Sequence, residues 1–125
     1  MKILYVIPFL FLTGCVNLTF DALEFDRYLQ IQETADVANL SCGTPSFTLT
    51  LSKLKADVDH QVAYSTLRGG GRPQVAAAGT DLKAIVDGLY SKYQSETTPS
   101  VEYCKLKTNN IAAGASLIVK ELGKL

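Results

Sequence analysis

The sequence predicts an all-α domain, an up-down-up-down four-helix bundle. Three observations carry this. Apolar residues recur at helical spacing in four successive segments, and short connections rich in Gly, Pro, Ser and Thr separate them. Strand-like alternation is sustained nowhere beyond about five residues. Four amphipathic helices on short connections pack most simply as antiparallel neighbours.

The first helix is expected over 22–41. Asp21 is placed to cap it, Glu24 three residues later can answer as a capping box, and Phe20 can staple to Phe25. Phe25, Tyr28, Leu29, Gln32, Ala35 and Asn39 fall on one face, and Gly43 supplies the stop.

The following stretch, TPSFTLTLSKLK, is ambiguous. Phe47, Leu49 and Leu51 alternate like a strand, whereas Phe47, Leu51, Leu54, Val58, Val62 and Ser65 keep helical spacing for about five turns. The longer pattern predicts a helix, with Thr44 as N-cap and Pro45 in its first position. It ends at Gly69-Gly70-Gly71.

Pro73 restarts the chain. Val75, Ala78, Leu82, Ile85, Val86, Leu89 and Tyr93 form an apolar stripe opposite Asp81, Lys83, Asp87 and Ser91, predicting a third helix over 73–95. A fourth opens after TTPS, with Thr98 or Ser100 as cap and Pro99 in the first turn. Val101, Cys104, Thr108, Ile111, Ala112, Ala115, Val119 and Leu122 mark its face.

In such a bundle the first and last helices are antiparallel neighbours. The end of one and the start of the other meet at the same end. Cys42 and Cys104 lie at those two places, so a single disulfide is expected; two buried free thiols are the alternative.

The N-terminus reads differently. Ile3 to Thr13 is an apolar run of eleven residues interrupted by Pro8, preceded by Lys2 and closed by LTGC. A bilayer-spanning helix needs about 20 apolar residues, so this run has signal-peptide length. LTGC resembles the lipobox of bacterial lipoproteins, in which the cysteine is lipidated and becomes the first mature residue. That resemblance implies a removed signal peptide over 1–14, a lipidated tether over 15–20 beginning at Cys15, and a bundle domain over 21–125. An ordinary secretory signal or short anchor with a chance cysteine is the alternative. Val16, where an aspartate would favour retention in the inner membrane, points to the outer membrane, facing the periplasm.

Charge narrows the function further. The chain carries 12 basic and 12 acidic side chains, a balance that offers no concentrated basic face for nucleic acid. A zinc site needs three or four ligands, and His60 is the only histidine, so no metal or other cofactor is expected. Asp57 and His60 share a helix edge while Asp59 points elsewhere, which reads as a solvated edge. RGGGRP lacks the lysine-serine/threonine ending of a phosphate-binding loop. The predicted topology places that loop at the lipid-anchored end, where Arg68 and Arg72 could meet headgroup phosphates. No residue reads as catalytic, and no enzyme is expected.

Three stretches resemble the pilotin lipoproteins of type II secretion systems, the PulS/OutS type: Cys42-Gly43 closing the first helix, DLKAIVDGLYSKY over 81–93, and PSVEYCK over 99–105. The resemblance implies a four-helix domain with a disulfide between the first and last helices. By the same resemblance the domain would capture the C-terminal segment of a secretin subunit while the lipoprotein sorting machinery carries both to the outer membrane. Other partners suit the same chemistry, as in a phage- or plasmid-encoded exclusion factor or an inhibitor of another envelope protein. A passive envelope component is the remaining alternative.

A docking surface is expected where apolar residues lie off the core stripes. On the first helix these are Leu23, Val37 and Leu40; on the fourth, Leu106, Ala113 and Leu117 lie about 150° from Cys104. Because the two helices are expected to be neighbours, the spare stripes are predicted to border one groove, with Val37, Leu40, Leu106, Ala113 and Leu117 receiving a peptide helix.

Overall fold

The computed structural model describes residues 21–67 and 73–124. The expected signal peptide over 1–14, the expected tether with Cys15, the expected Phe20 staple, and Arg68 and Arg72 lie outside the described residues. Within them are four helices and no strand: α1 (Ala22–Ser41), α2 (Phe47–Leu67), α3 (Pro73–Gln94) and α4 (Val101–Gly123). Each packs on its neighbours in sequence, and α4 closes the ring against α1, whereas the diagonal pairs stay apart. Cys42 at the end of α1 meets Cys104 at the start of α4. At the opposite end, a Cβ placed on Gly123 would lie 3.6 Å from the Phe25 ring. The two helices therefore run antiparallel, as an up-down-up-down bundle requires.

Local chemistry sets the helix ends. Asp21 Oδ1 accepts from the backbone N–H groups of Leu23 at 3.0 Å and Glu24 at 3.2 Å. Such a cap contributes about 1 kcal/mol. Beyond Ser41 the chain turns at Gly43, whose φ of +81° is open to glycine and strained for other residues. Space there also excludes a side chain, since a Cβ would approach Val101 Cγ2 to 2.8 Å.

One expected start is corrected, and a second holds for its cap but not for its proline. Thr44 does not cap α2, because its hydroxyl turns back to donate to Ser41 O at 2.6 Å. The first α2 bond runs from Thr50 N–H to Ser46 O, so Ser46 sits at the helix entry and Pro45 in the turn before it. For α4, Ser100 is the cap, its Oγ accepting from Tyr103 N–H at 3.1 Å, and Pro99 precedes the helix.

TPSFTLTLSKLK resolves as the turn into α2 and its first two turns. Phe47, Leu51, Leu54 and Val58 are buried, whereas Leu49, which a strand would have placed beside Phe47 and Leu51, is 78 % exposed. On α1 the core is centred on Tyr28, Ile31, Ala35 and Ala38. The expected members Phe25, Leu29, Gln32 and Asn39 are half-buried at its edge. Small residues set this phase: Ala35 and Ala38 on α1 and Ala115 on α4 are fully buried and let the backbones approach closely.

The core is not wholly apolar. Gln61 is 0 % exposed, and neither its amide oxygen nor its amide nitrogen has a hydrogen-bond partner. The hydroxyl of Tyr28 is also buried and unpartnered. Burial raises the pKa of that phenol. Gly79 makes room for it, since a Cβ there would fall 2.5 Å from the hydroxyl.

Candidate partner-docking cleft

The two seams that flank α1 present different surfaces. On the α4 side the seam is closed. Cys42 and Cys104 form a disulfide with a Cα–Cα distance of 5.9 Å, both side chains buried. One turn along, Asn39 Nδ2 reaches across to Lys105 O at 3.1 Å, Thr108 Oγ1 at 2.9 Å and Asn109 Oδ1 at 3.1 Å. Thr108 in turn donates to Cys104 O at 2.9 Å, tying the clasp to the disulfide.

On the α2 side the seam opens. A recess of about 850 Å³ is lined by Gln30, Glu33, Thr34 and Val37 of α1 and by Leu49, Thr50, Ser52 and Lys53 of α2. A second recess, of about 360 Å³, shares Gln30 and continues along the seam past Leu23, Asp26, Arg27, Asp57 and His60. The two recesses meet at Gln30, with Val37 and Leu49 as the apolar side chains toward the disulfide end and Leu23 toward the start of α1.

This geometry corrects the expected groove between α1 and α4. Val37 precedes Asn39 by two residues, a rotation of about 200° on an α-helix. With Asn39 held against α4, Val37 is turned toward α2, where it is 55 % exposed in the cleft beside Leu49. Leu40 is exposed on the outer face of α1. Leu106, Ala113 and Leu117 share the solvent face of α4, opposite Cys104, and do not join Val37 or Leu40 in one channel. The expectation missed Leu49, although its place off the α2 stripe made it the spare apolar residue there.

Charges divide the same way. Between α2 and α3 four side chains form a closed square. Lys55 Nζ lies 3.0 Å from both Asp59 and Asp87, and Lys83 Nζ lies 3.0 Å from Asp59 and 2.6 Å from Asp87. The hydrogen bond from Lys83 is the main cause holding Asp87 below the usual carboxylate range. Burial pushes Asp59 upward, but the lysine bonds more than reverse it and leave it lowered too. In the cleft, Lys53 is paired with Asp57 at 3.0 Å, and Arg27 lies 5.7 Å from the ring centre of Tyr64. Asp26, Glu33 and Asp36 enter no ion pair among the described residues.

Asp57 and His60 do line one recess, as their shared helix edge predicts. Among the described residues no three His, Cys, Asp or Glu side chains are grouped to hold a metal ion, and no helix is long and apolar enough to cross a membrane. What the larger recess offers is a trough between two helices with one exposed apolar side chain on each, Val37 and Leu49, a shape that can receive a helix or an extended segment. No protein-family model matches the chain, and neither a curated protein nor a solved structure shows significant similarity to it.

Proposed function

We propose that the protein is a lipid-anchored binding module of the bacterial envelope, a pilotin that holds a C-terminal secretin segment in the α1–α2 cleft. Lipidation at Cys15 would deliver both to the outer membrane through the lipoprotein sorting machinery. One observation carries the binding reading: Val37 and Leu49 stand exposed across an open cleft while the other seam of α1 is locked by a disulfide and the Asn39 clasp. Exposed apolar residues facing each other across a recess favour a partner more than leucines scattered singly on a surface. The lipobox-like LTGC supports the anchor, and Val16 after it supports the outer membrane. A bundle stapled between its first and last helices agrees with the resemblance to pilotins. With the N-terminus anchored by lipid, Arg68 and Arg72 would contact headgroup phosphates.

The test is site-specific photocrosslinking in cells that carry a secretin. A crosslinker at Leu49 should yield a secretin adduct, and removal of the secretin's C-terminal segment should abolish it. A crosslinker at Leu106 should yield none. An adduct from Leu49 with a different envelope protein would replace the pilotin reading by that of an exclusion or inhibitor lipoprotein. No adduct at all would favour a passive envelope component.

A further inference from the structure

The bundle divides into two pairs of helices, each tied within itself. α1 and α4 share the Cys42–Cys104 disulfide and the Asn39 clasp, and α1 packs more extensively on α4 than on α2. α2 and α3 share the square of Lys55, Asp59, Lys83 and Asp87. Nearer the disulfide end, the rings of Phe47 on α2 and Tyr93 on α3 stand 4.7 Å apart between centroids. Between the pairs, polar contacts gather where α1 begins. Tyr64 O–H donates to Asp21 Oδ2 at 2.8 Å, Ser65 O–H donates to Glu24 Oε1 at 3.3 Å, and Arg27 lies over the Tyr64 ring.

The chain joins the pairs only at the other end. α1 passes into α2 through residues 42–46 and α3 into α4 through 95–100, whereas the remaining connection stays within the α2–α3 hairpin. The disulfide pins the roots of both links, with Cys42 at the C-cap of α1 and Cys104 in the first turn of α4, their Cα atoms 5.9 Å apart. The roots also touch, since Gly43 packs against Val101. A hairpin joined to its base by two short adjacent links at one end has one natural axis of rotation.

The centre of the bundle favours movement about that axis. Gln61 of α2 is fully buried with neither amide atom partnered, a desolvation cost that separating the pairs relieves. Tyr28 of α1 sets its hydroxyl against Gly79 of α3, a second polar group that opening returns to water. Both lower the free energy of a sub-global opening relative to that of complete unfolding.

We infer that the α2–α3 hairpin swings as one body off the α1–α4 pair, pivoting at the disulfide and parting where Tyr64 meets Asp21. The swing widens the α1–α2 and α3–α4 seams together and leaves all four helices formed. It requires neither a lipid anchor nor a secretin, and so goes beyond the proposed docking.

Val58→Cys and Val86→Cys each place a thiol in the core, on α2 and α3 respectively. The full oxidised chain of each variant is treated with a maleimide under native conditions. Peptide mass spectrometry follows labelling at each position, and amide exchange is followed in parallel. Both thiols should label at one rate, about tenfold faster than global unfolding, while amides of the same turns stay protected. Tyr64→Phe removes the bond to Asp21 and should speed labelling about fivefold; Gln61→Leu should slow it about tenfold. Asn39→Ala, within the α1–α4 pair, should leave the labelling rate nearly unchanged. Labelling at the global unfolding rate in every variant would overturn the hinge. So would amides that exchange as fast as the thiols label, because α2 and α3 would then be melting. Labelling of Val58→Cys well ahead of Val86→Cys would make α2 alone the moving element and overturn the hairpin. If either cysteine variant fails to fold, Leu54→Cys on α2 or Leu89→Cys on α3 makes the same comparison.

Discussion

The two seams beside α1 use one helix in opposite ways. Toward α4, small residues, a disulfide and the three-way reach of Asn39 draw the backbones together. Toward α2, Val37 and Leu49 keep apart and leave a cleft of about 850 Å³. A bundle held by covalent and polar links on one side can leave the other available for a partner without losing its topology. The same helix is thus locked on one edge and open on the other.

The largest expected effect comes from cutting the closed seam. Cys42 and Cys104 are separated by 62 residues, and closing such a loop contributes roughly 4 kcal/mol in the chain-entropy model. Cys42→Ala/Cys104→Ala should lower the denaturation midpoint by an amount of that order. The oxidised protein should show no thiol at either position to maleimide after unfolding. Two reactive thiols there, or an unchanged midpoint, would rule out the disulfide as the lock on this seam.

Next in size are two polar residues with opposite signs. Asn39→Ala should cost about 1 kcal/mol by leaving the α4 acceptors to water. Gln61→Leu should instead raise stability, by about 1–2 kcal/mol, because it removes two buried amide atoms without partners and fills the same space. Chemical denaturation of both variants measures this. A destabilising Gln61→Leu would mean that the amide is satisfied by water inside the core.

The smallest effect concerns the seam between α2 and α3. Asp59 and Asp87 have lowered folded-state pKa values, so their contribution is fully present above the unfolded carboxylate value of about 4 and is lost as pH falls below it toward the folded values. Amide exchange in facing turns of α2 and α3 should therefore quicken below about pH 4, with the disulfide end of α1 and α4 less affected. Both aspartates are over a third exposed, so the change should be modest and salt-dependent.

Signals local in sequence were the legible ones. Helix α1 ends where its cap and its glycine indicate, and the two internal cysteines follow from topology because antiparallel first and last helices must share an end. Azimuth was harder to read. Phe25 and Leu29 look like core by hydropathy, yet Ile31, Ala35 and Ala38 occupy the centre, since close approach of α4 rewards small side chains. That shift moved Val37 from the expected α4 side to the α2 side. Which seam opens is a property of paired helices, set by contacts such as Asn39 to Thr108, 69 residues apart in sequence. A periodicity read one helix at a time carries no information about it.

The most direct test of the docking cleft compares two exposed leucines of similar size on opposite sides of the bundle. Leu49→Asp in the cleft and Leu106→Asp on the solvent face of α4 should both leave thermal unfolding nearly unchanged, since neither side chain is core. Binding of the secretin C-terminal segment to each purified variant is then measured by titration calorimetry. Leu49→Asp should abolish binding and Leu106→Asp should retain it; the reverse result would place the docking surface on α4 and contradict the cleft.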